Sequence, residues 1–183
     1  AGGVHAAYLL KSDKDKLARY ETLAKLGDEA IAALPDAANS HFRRAFAIGR
    51  YSQCLSIAQA LAQGPAGKVR ASLDATLRLA PKHAEARTAL GLYHAEIVGK
   101  VGGMLAKLTY GASAAEAEKQ LKEALKLTPE SPIAWIEYGN GLLLVHGEKR
   151  EDDVAEAYDK AAKLKPHDAM EALDAAWAKD PLE

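Results

Sequence analysis

Apolar residues recur at steps of three and four along the chain, most clearly between residues 84 and 129. This spacing places their side chains on one face of an α-helix and predicts a long helix that ends at Tyr110-Gly111. A second helix follows, opened by a capping box from Ser113 to Glu116 and closed before Pro129. The apolar stripe of the long helix consists of Ala86, Leu90, Tyr93, Ile97, Val101, Leu105 and Leu108.

Small residues form a second row on the long helix, because Gly91, Ala95, Gly99 and Gly103 lie four positions apart. Such a row lets the backbone of a neighbouring helix approach closely, which offsets the ~1 kcal/mol cost of each helix-interior glycine. We therefore expect Gly99 and Gly103 to face a close helix neighbour. The alternative is a kink or break at the Gly102-Gly103 pair.

The same helical pattern, interrupted by proline and glycine, extends to both sides of the central pair. It predicts an all-α fold class without a sheet. Towards the N-terminus we expect helices at residues 4–10, from a cap at Asp13 to residue 34, at residues 40–63 and at residues 68–79. Towards the C-terminus we expect helices from the Ser131-Pro132 cap to residue 145, at residues 153–164, and from a capping box at Asp168 to a stop before Pro181.

An internal repeat becomes visible when the short helices are aligned on the prolines that close them. The matching residues lie twelve, eight and five positions before the proline in three segments. They are Val69, Leu73, Thr76 and Pro81; Ala117, Leu121, Ala124 and Pro129; and Val154, Tyr158, Ala161 and Pro166. Gly91 and Gly139 each lie ten positions after such a proline, so the chain is predicted to consist of repeated helix pairs.

This pattern resembles the tetratricopeptide repeat (TPR), and the best match runs from Pro132 to Pro166 through Trp135, Gly139, Tyr158 and Ala161. The spacing of successive prolines is 46, 48 and 37 residues, where the family has 34, so the first two repeats carry extra residues. With LGLYHAEI, AKLTYGAS and AAEAEKQLKEALKLTP in succession, the chain resembles the divergent repeats of the regulator of microtubule dynamics family and its uncharacterised bacterial relatives. The resemblance covers about residues 40–168.

The resemblance implies a right-handed α-solenoid of antiparallel helix pairs with elongated first helices. It organises residues 1–183 as one TPR-like domain, with N-terminal helices at 1–39, repeats at 40–83, 84–131 and 132–168, and a capping helix at 169–183. Repeats of this kind serve as scaffolds for unrelated tasks, so the resemblance identifies a fold and is no evidence for tubulin binding.

Composition and charge narrow the classes of partner. A net charge of −1 and a pI near 6.7 remove the usual electrostatic argument for nucleic acid or an anionic membrane. Cys54 is the single cysteine, which excludes an intrachain disulfide framework, and Lys100 and Lys107 interrupt the most apolar stretch. We expect an unidentified protein or peptide as partner, no nucleic acid, no membrane, and a monomer or weak homo-oligomer. The expected compartment is the cytoplasm; because the sequence starts at Ala1, the alternative is an exported, periplasmic protein whose signal segment is missing.

No motif for catalysis or for a cofactor emerges from the residues. GPAGKVR at residues 64–70 lacks the four-residue spacer and the Ser or Thr of a phosphate-binding loop, so it is predicted to be a turn between helices. His94 and His146 have no ligand partner at metal-binding spacing, and His83 and His167 are interpreted as turn or capping residues. Cys54 is expected to be a buried thiol. We therefore expect no enzyme activity, no cofactor and no metal.

In the TPR family the first helix of each pair lines a concave groove, and the resemblance places the groove residues here by repeat position. They are Arg43, Phe46, Arg50 and Gln53; Glu85, Thr88, Leu92 and Glu96; and Ile133, Ile136, Asn140 and Leu143. Asn140 matches an asparagine that holds a peptide's terminal carboxylate in some members, but the lysine that accompanies it there is Ile136 here. The alternative for the apolar members of the set is burial beneath the long helices.

Two functions from different classes follow. The first is a non-catalytic interaction module, a scaffold or adaptor, that binds a peptide or protein segment in the groove. Arg43 and Arg50 flank Phe46 on one helix face and suit an acidic or carboxylate-ended segment, unless both pair with acidic residues of an adjacent helix. The second is a binding protein for a small apolar ligand, with its pocket near Leu92, Ile133 and Ile136.

Overall fold

The structure, a computed structural model, describes residues 9–179, apart from the side chain of Leu61. The helix predicted at residues 4–10 lies largely outside these residues, and the predicted stop before Pro181 lies wholly outside them. Every regular element in the described part is helical, so the predicted all-α class is confirmed. The helices are α1 (Asp13–Ala33), α2 (Ala38–Gln53), α3 (Ile57–Gln63), α4 (Pro65–Leu79), α5 (Ala84–Val101), α6 (Gly103–Tyr110), α7 (Ala114–Leu127), α8 (Pro132–His146), α9 (Glu151–Lys163) and α10 (Ala169–Trp177). A 3₁₀ turn, Gly147–Arg150, joins α8 to α9.

The chain forms two compact units, the N-terminal unit Ala1–Ala86 and the C-terminal unit Arg87–Glu183. In the N-terminal unit α2 packs against both α1 and α4. In the C-terminal unit α8 packs against α7 and α9, and α10 covers part of both α8 and α9.

The helix boundaries of the N-terminal unit differ from the prediction at three places. Ser12, and not Asp13, caps α1, because its Oγ accepts the Asp15 amide at 3.1 Å. The helix predicted over residues 40–63 is broken after Gln53, and Ser56 starts α3 with a reciprocal capping box. Gly64 then closes α3 at φ 61°, so the next helix begins at once at Pro65.

One arginine fixes α2 to both of its neighbours. Arg44 Nε lies 2.5 Å from Asp28 Oδ1 on α1, and Arg44 Nη1 donates to Ser72 Oγ on α4 at 2.8 Å. A Cβ at Gly27 would lie 2.8 Å from Arg44 Cβ, so α1 and α2 meet backbone to backbone at this point. The buried apolar side chains of this unit include Tyr20, Phe42, Ala45, Ile48, Val69 and Leu73.

The long helix predicted from residue 84 to residue 110 is interrupted, which makes the continuous interpretation wrong and the alternative break correct. Gly102 has φ 80° and ψ 154°, a conformation that favours glycine and ends α5 at Val101. The predicted left-handed cap at Gly111 is confirmed, with φ 61°. After the break Leu105 and Leu108 leave the predicted apolar face and are exposed.

The capping box predicted at Ser113 is half formed. Ser113 Oγ accepts the Glu116 amide at 3.2 Å, as predicted. The Ser113 amide donates to Nδ1 of buried His94 at 3.3 Å, while Glu116 accepts from Gln120 at 2.7 Å. The histidine therefore takes the place of the glutamate at this helix start.

The row of small residues on α5 contacts other helices over part of its predicted length. A Cβ at Gly91 would lie 2.6 Å from Leu121 Cγ, and one at Gly99 would lie 3.0 Å from the Leu144 carbonyl oxygen. The prediction is thus confirmed for Gly99 and wrong for Gly103, where a Cβ would meet no atom within 4 Å. The break at Gly102 explains the difference, because it turns the following residues out of the register of α5.

Candidate functional site

The four groove residues predicted on α2 lie along one face of that helix. Arg43 and Gln53 are exposed, whereas Phe46 and Arg50 are half-buried. The Arg50 guanidinium carbon stands 5.5 Å from the centre of the Phe46 ring, and Arg50 Nη1 donates to Gln53 Oε1 at 3.1 Å. The structure therefore brings these three side chains together as predicted, and we call Arg43, Phe46, Arg50 and Gln53 the α2 strip.

Arg43 is oriented by a different ring from the one predicted. Its guanidinium carbon lies 5.6 Å from the centre of the Phe42 ring, which is buried. That ring also packs against the His83 ring at a tilt of 46°, with 4.7 Å between the centres. The two arginines of the strip are thus each placed over a phenylalanine, seven residues apart on one helix.

The groove residues predicted on α5 are divided between the two compact units. Exposed Glu85 belongs to the N-terminal unit, where its Oε2 lies 3.1 Å from His83 Nδ1. Thr88, Leu92 and Glu96 belong to the C-terminal unit and are half-buried. Glu96 pairs with Lys100 on the same helix at 3.1 Å.

Two of the residues predicted on α8, Ile133 and Ile136, belong to the core of the C-terminal unit, whereas Leu143 is exposed. Ile136 is 3% exposed and lies in the hydrophobic cluster with Leu142, Val154 and Tyr158, so its placement in a groove is wrong. Ile133 packs against the same cluster. This burial is the alternative that the sequence left open for the apolar groove residues.

Asn140 is engaged inside the C-terminal unit. Its Nδ2 donates to Glu137 Oε2 at 2.9 Å, and its Oδ1 accepts the Tyr158 hydroxyl at 2.6 Å. Burial, and then the charge of Glu137, raise the pKa of Tyr158. The amide therefore links α8 to α9.

A surface cleft of about 490 Å³ lies between α7, α8 and α9, and the sequence did not reveal it. Its aromatic residues are Trp135 and Tyr138, whose rings meet edge to face with 6.4 Å between their centres. Trp135 Nε1 donates to the Pro129 carbonyl at 2.8 Å, which fixes the ring at the start of α8. The full lining consists of Lys119, Lys122, Glu123, Leu125, Lys126, Trp135, Tyr138, Asp153, Glu156, Ala157 and Lys160.

Lysines dominate the α7 side of this cleft. Lys119, Lys122 and Lys126 follow one another at three- and four-residue steps, so they lie on one face of α7. Each pairs with a carboxylate of its own helix, at 3.3, 2.9 and 2.7 Å respectively. From α9, Lys160 Nζ stands 4.7 Å from the centre of the Trp135 ring. We call Lys119, Lys122 and Lys126 the lysine row. Its spacing is visible in the KQLKEALK stretch of the sequence, but Trp135 was interpreted as a packing residue of the repeat.

A smaller cleft of about 170 Å³ lies in the N-terminal unit beside Asp28, Arg44, Tyr51 and Lys68. It borders the Arg44–Asp28 ion pair that holds α1 to α2. Neither cleft includes Leu92, Ile133 or Ile136, the residues around which a small apolar ligand was predicted to bind.

Reactive and metal-binding residues are engaged locally. His83 Nδ1 accepts the Ala86 amide at 3.3 Å, which confirms its prediction as a capping residue. Cys54 is half-buried, less than predicted, and burial followed by the charge of Asp13 raises the pKa of its thiol, which disfavours a nucleophilic thiolate. Within residues 9–179 no three His, Cys, Asp or Glu side chains are grouped so as to hold a metal ion.

Glu118 connects Lys122 of the lysine row to His146 at the end of α8. Its carboxylate accepts from Lys122 at 2.9 Å and from His146 Nε2 at 2.8 Å, and Arg150 Nη1 lies 3.9 Å away. Burial alone would raise the pKa of Glu118, but the hydrogen bonds from Lys122 and His146 outweigh it and hold that pKa below its ordinary value.

A pH dependence of stability follows from Glu118. Because the pKa is lower in the folded state, the stabilisation is present above the carboxyl pKa of the unfolded chain and is lost as pH falls through the folded value. Glu118→Gln should therefore cost about 1 kcal/mol at pH 5.5 and much less at pH 3. Urea unfolding of parent and variant at both pH values measures the difference; an equal gap at the two would show that the charge of Glu118 contributes nothing.

Comparison with known proteins gives no match for this chain: no protein-family model, no curated protein and no solved structure matches it. Among the helices of residues 9–179, none combines the length and the apolar character that crossing a bilayer requires. The α2 strip and the cleft between α7, α8 and α9 are the two surfaces that suit a binding partner.

Proposed function

We propose that this chain is a non-catalytic protein-interaction module, a scaffold or adaptor. Its N-terminal unit binds an acidic or carboxylate-ended peptide segment along the α2 strip. The observation that carries this proposal is the Arg50 guanidinium, held over the Phe46 ring at 5.5 Å and hydrogen-bonded to Gln53 at 3.1 Å.

An arginine held in this way is prepared for an anion. The guanidinium group presents a planar fork of donors that matches a carboxylate, and it keeps its charge at any physiological pH. The contact with the Phe46 ring and the hydrogen bond to Gln53 restrict the side chain before binding, so less conformational entropy is lost when the carboxylate arrives. Phe46 remains half-buried and offers an apolar contact beside the charge.

The residue next to Arg43 in the sequence holds α2 to its neighbouring helices. Arg44 makes the ion pair to Asp28 on α1 and the hydrogen bond to Ser72 on α4. Arg43, one position earlier, is exposed, and its guanidinium carbon lies 5.6 Å from the centre of the Phe42 ring. This division between adjacent arginines supports a binding role for Arg43.

We further propose that the helices form a TPR-like right-handed solenoid with elongated first helices. A recurring contact supports this. Gly91 and Gly139 each lie ten residues after a proline, and each faces the residue eight positions before the next proline: Leu121 and Tyr158. A Cβ at Gly139 would lie 3.3 Å from Tyr158 Cε1, as one at Gly91 would crowd Leu121. The same helix contact therefore occurs twice in the C-terminal unit.

The α2 strip is tested by the double variant Arg43→Ala with Arg50→Ala. The probe is a fluorescein-labelled octapeptide of alternating alanine and glutamate with a free carboxyl terminus, followed by fluorescence polarisation. We expect at least an approximately tenfold loss of affinity, because two charge-assisted contacts are removed, with little change in thermal stability.

Arg19→Ala with Arg78→Ala is the matched control. These two exposed arginines lie on α1 and α4, so the control removes the same charge from the same unit while leaving the strip intact. A double variant of the strip that loses several kcal/mol of stability, or that still binds the peptide like the parent, would make the strip structural.

A further inference from the structure

We propose that the cleft between α7, α8 and α9 is a second binding site, for a peptide segment with a large apolar side chain flanked by carboxylates. It lies in the C-terminal unit, whereas the α2 strip lies in the N-terminal unit. The proposal therefore does not depend on the function proposed for the strip.

The apolar part of the ligand follows from the lining of the cleft. Trp135 and Tyr138 meet edge to face, with Leu125 and Ala157 beside them. A volume of about 490 Å³ lies within the range of clefts that bind ligands in proteins. Aromatic side chains in such places anchor large apolar groups of a partner, and Trp and Tyr are enriched among the residues that dominate interface energies.

The acidic part of the ligand follows from the lysine row. Lys119, Lys122 and Lys126 span about 10.5 Å along α7, at a rise of 1.5 Å per residue. Their side chains are 65%, 52% and 71% exposed, and each is paired with a carboxylate one turn away on its own helix. The Lys119–Glu116 and Lys126–Glu123 pairs are solvent-exposed and contribute little to stability, so these two lysines can exchange partners at little cost. Carboxylates two residues apart on an extended peptide are about 6.6 Å apart and can reach two of them.

A peptide fits the cleft better than a nucleic acid does. The four lysines in the lining are accompanied by three carboxylates, those of Glu123, Asp153 and Glu156. Asp153 and Glu156 lie on α9, across the cleft from the lysine row. A continuous phosphate backbone carries a negative charge at every nucleotide and would meet these groups, whereas a peptide places its carboxylates only where its side chains are acidic.

The contact between Lys160 and Trp135 allows binding in the cleft to be followed by the fluorescence of Trp135. The ammonium group stands 4.7 Å from the centre of the indole, so a side chain that enters the cleft changes the surroundings of that ring. Trp135 and Trp177 are the two tryptophans of the chain. The full chain with Trp177→Phe therefore carries Trp135 as its single fluorescent indole.

The probe is the capped peptide acetyl-DEELFEDE-amide, titrated into the Trp177→Phe chain while the Trp135 emission is recorded. We expect a saturable change that weakens when salt rises from about 50 mM to about 500 mM. The peptides acetyl-DEEASEDE-amide, which lacks the apolar pair, and acetyl-KKRLFKRK-amide, which reverses the charge, should each bind at least about tenfold more weakly.

Neutralising the row tests the lysines directly. Lys119→Gln, Lys122→Gln and Lys126→Gln together should weaken binding of the acidic peptide at least about tenfold. The control combines Lys100→Gln, Lys107→Gln and Lys165→Gln, which removes the same charge from the same unit outside the cleft and should bind like the parent. Arg43→Ala with Arg50→Ala should also bind like the parent, which separates this site from the α2 strip.

Three results would overturn the proposal. The first is an unchanged Trp135 emission at saturating peptide, and the second is equal weakening by both triple lysine variants. The third is an equally tight response to single-stranded oligothymidine, which would assign the cleft to polyanions in general.

Discussion

Leu121→Ala is expected to lower the free energy of unfolding by about 3–5 kcal/mol, the upper part of the range for buried leucines. Leu121 is 1% exposed on α7 and lies between two glycines of neighbouring helices, Gly91 on α5 and Gly141 on α8. A Cβ on either glycine would overlap the Leu121 side chain. Because glycines have no side chain that can move into the space, truncation to alanine should leave nearly the full cavity.

Chemical denaturation at neutral pH, with circular dichroism as the readout, measures this loss. Leu144→Ala is the matched control, since Leu144 on α8 is 41% exposed and its truncation should cost under about 1 kcal/mol. Equal losses for Leu121→Ala and Leu144→Ala would mean that the glycine-lined site collapses freely, contrary to the packing described here.

The helical class and most of the helices could be predicted because their determinants are local. Three- and four-residue apolar spacing, glycine caps and prolines after helix ends act within a few residues of the elements they define. Pro129 and Gly111 therefore mark helix ends in the structure as they do in the sequence. The serine half of the cap at Ser113 also formed as predicted.

The break at Gly102, which the sequence offered only as an alternative, and the break near Cys54, which it did not predict, have a different origin. Residues on both sides of Gly102 continue the apolar spacing, so the pattern alone favours one long helix, yet the glycine adopts φ 80° and divides it. Near Cys54 no proline or glycine interrupts the sequence, and the break becomes visible only through the capping box between Ser56 and Gln59. A good N-cap stabilises the start of a new helix by about 1 kcal/mol, which is enough to compete with continuation of the preceding helix. The pattern of apolar residues does not show this contribution.

The candidate site was predictable only in part, because residues that are adjacent in one helix can lie in different environments. The sequence identified Arg43 and Arg50 by their spacing, but it did not assign the interhelical ion pair to Arg44, between them. Similarly, repeat position placed Ile136 in a groove, although the packing of α9 and α10 on α8 buries it. The cleft at Trp135 escaped prediction because three helices form it, and the distance between helices is not encoded in any one of them.

Gly91→Ala is expected to destabilise the chain by about 1–3 kcal/mol, although alanine is the better helix former. The new Cβ would lie 2.6 Å from Leu121 Cγ and 3.1 Å from the Ala117 carbonyl oxygen, and neither atom is the free end of a flexible side chain. Gly103→Ala is the control, because a Cβ there meets nothing within 4 Å, and it should be neutral or stabilising by up to about 1 kcal/mol.

The double variant Gly91→Ala with Leu121→Ala makes this test specific. If the Gly91 position is crowded by Leu121 in particular, truncating the leucine removes the overlap, and the new methyl group fills part of the cavity. The double variant should then cost less than the sum of the two single variants, by about 1–3 kcal/mol of coupling. Denaturant unfolding of the four chains in the cycle gives this coupling. Strict additivity, or a larger cost for Gly103→Ala than for Gly91→Ala, would show that the close approach of α5 and α7 is not what stabilises the C-terminal unit.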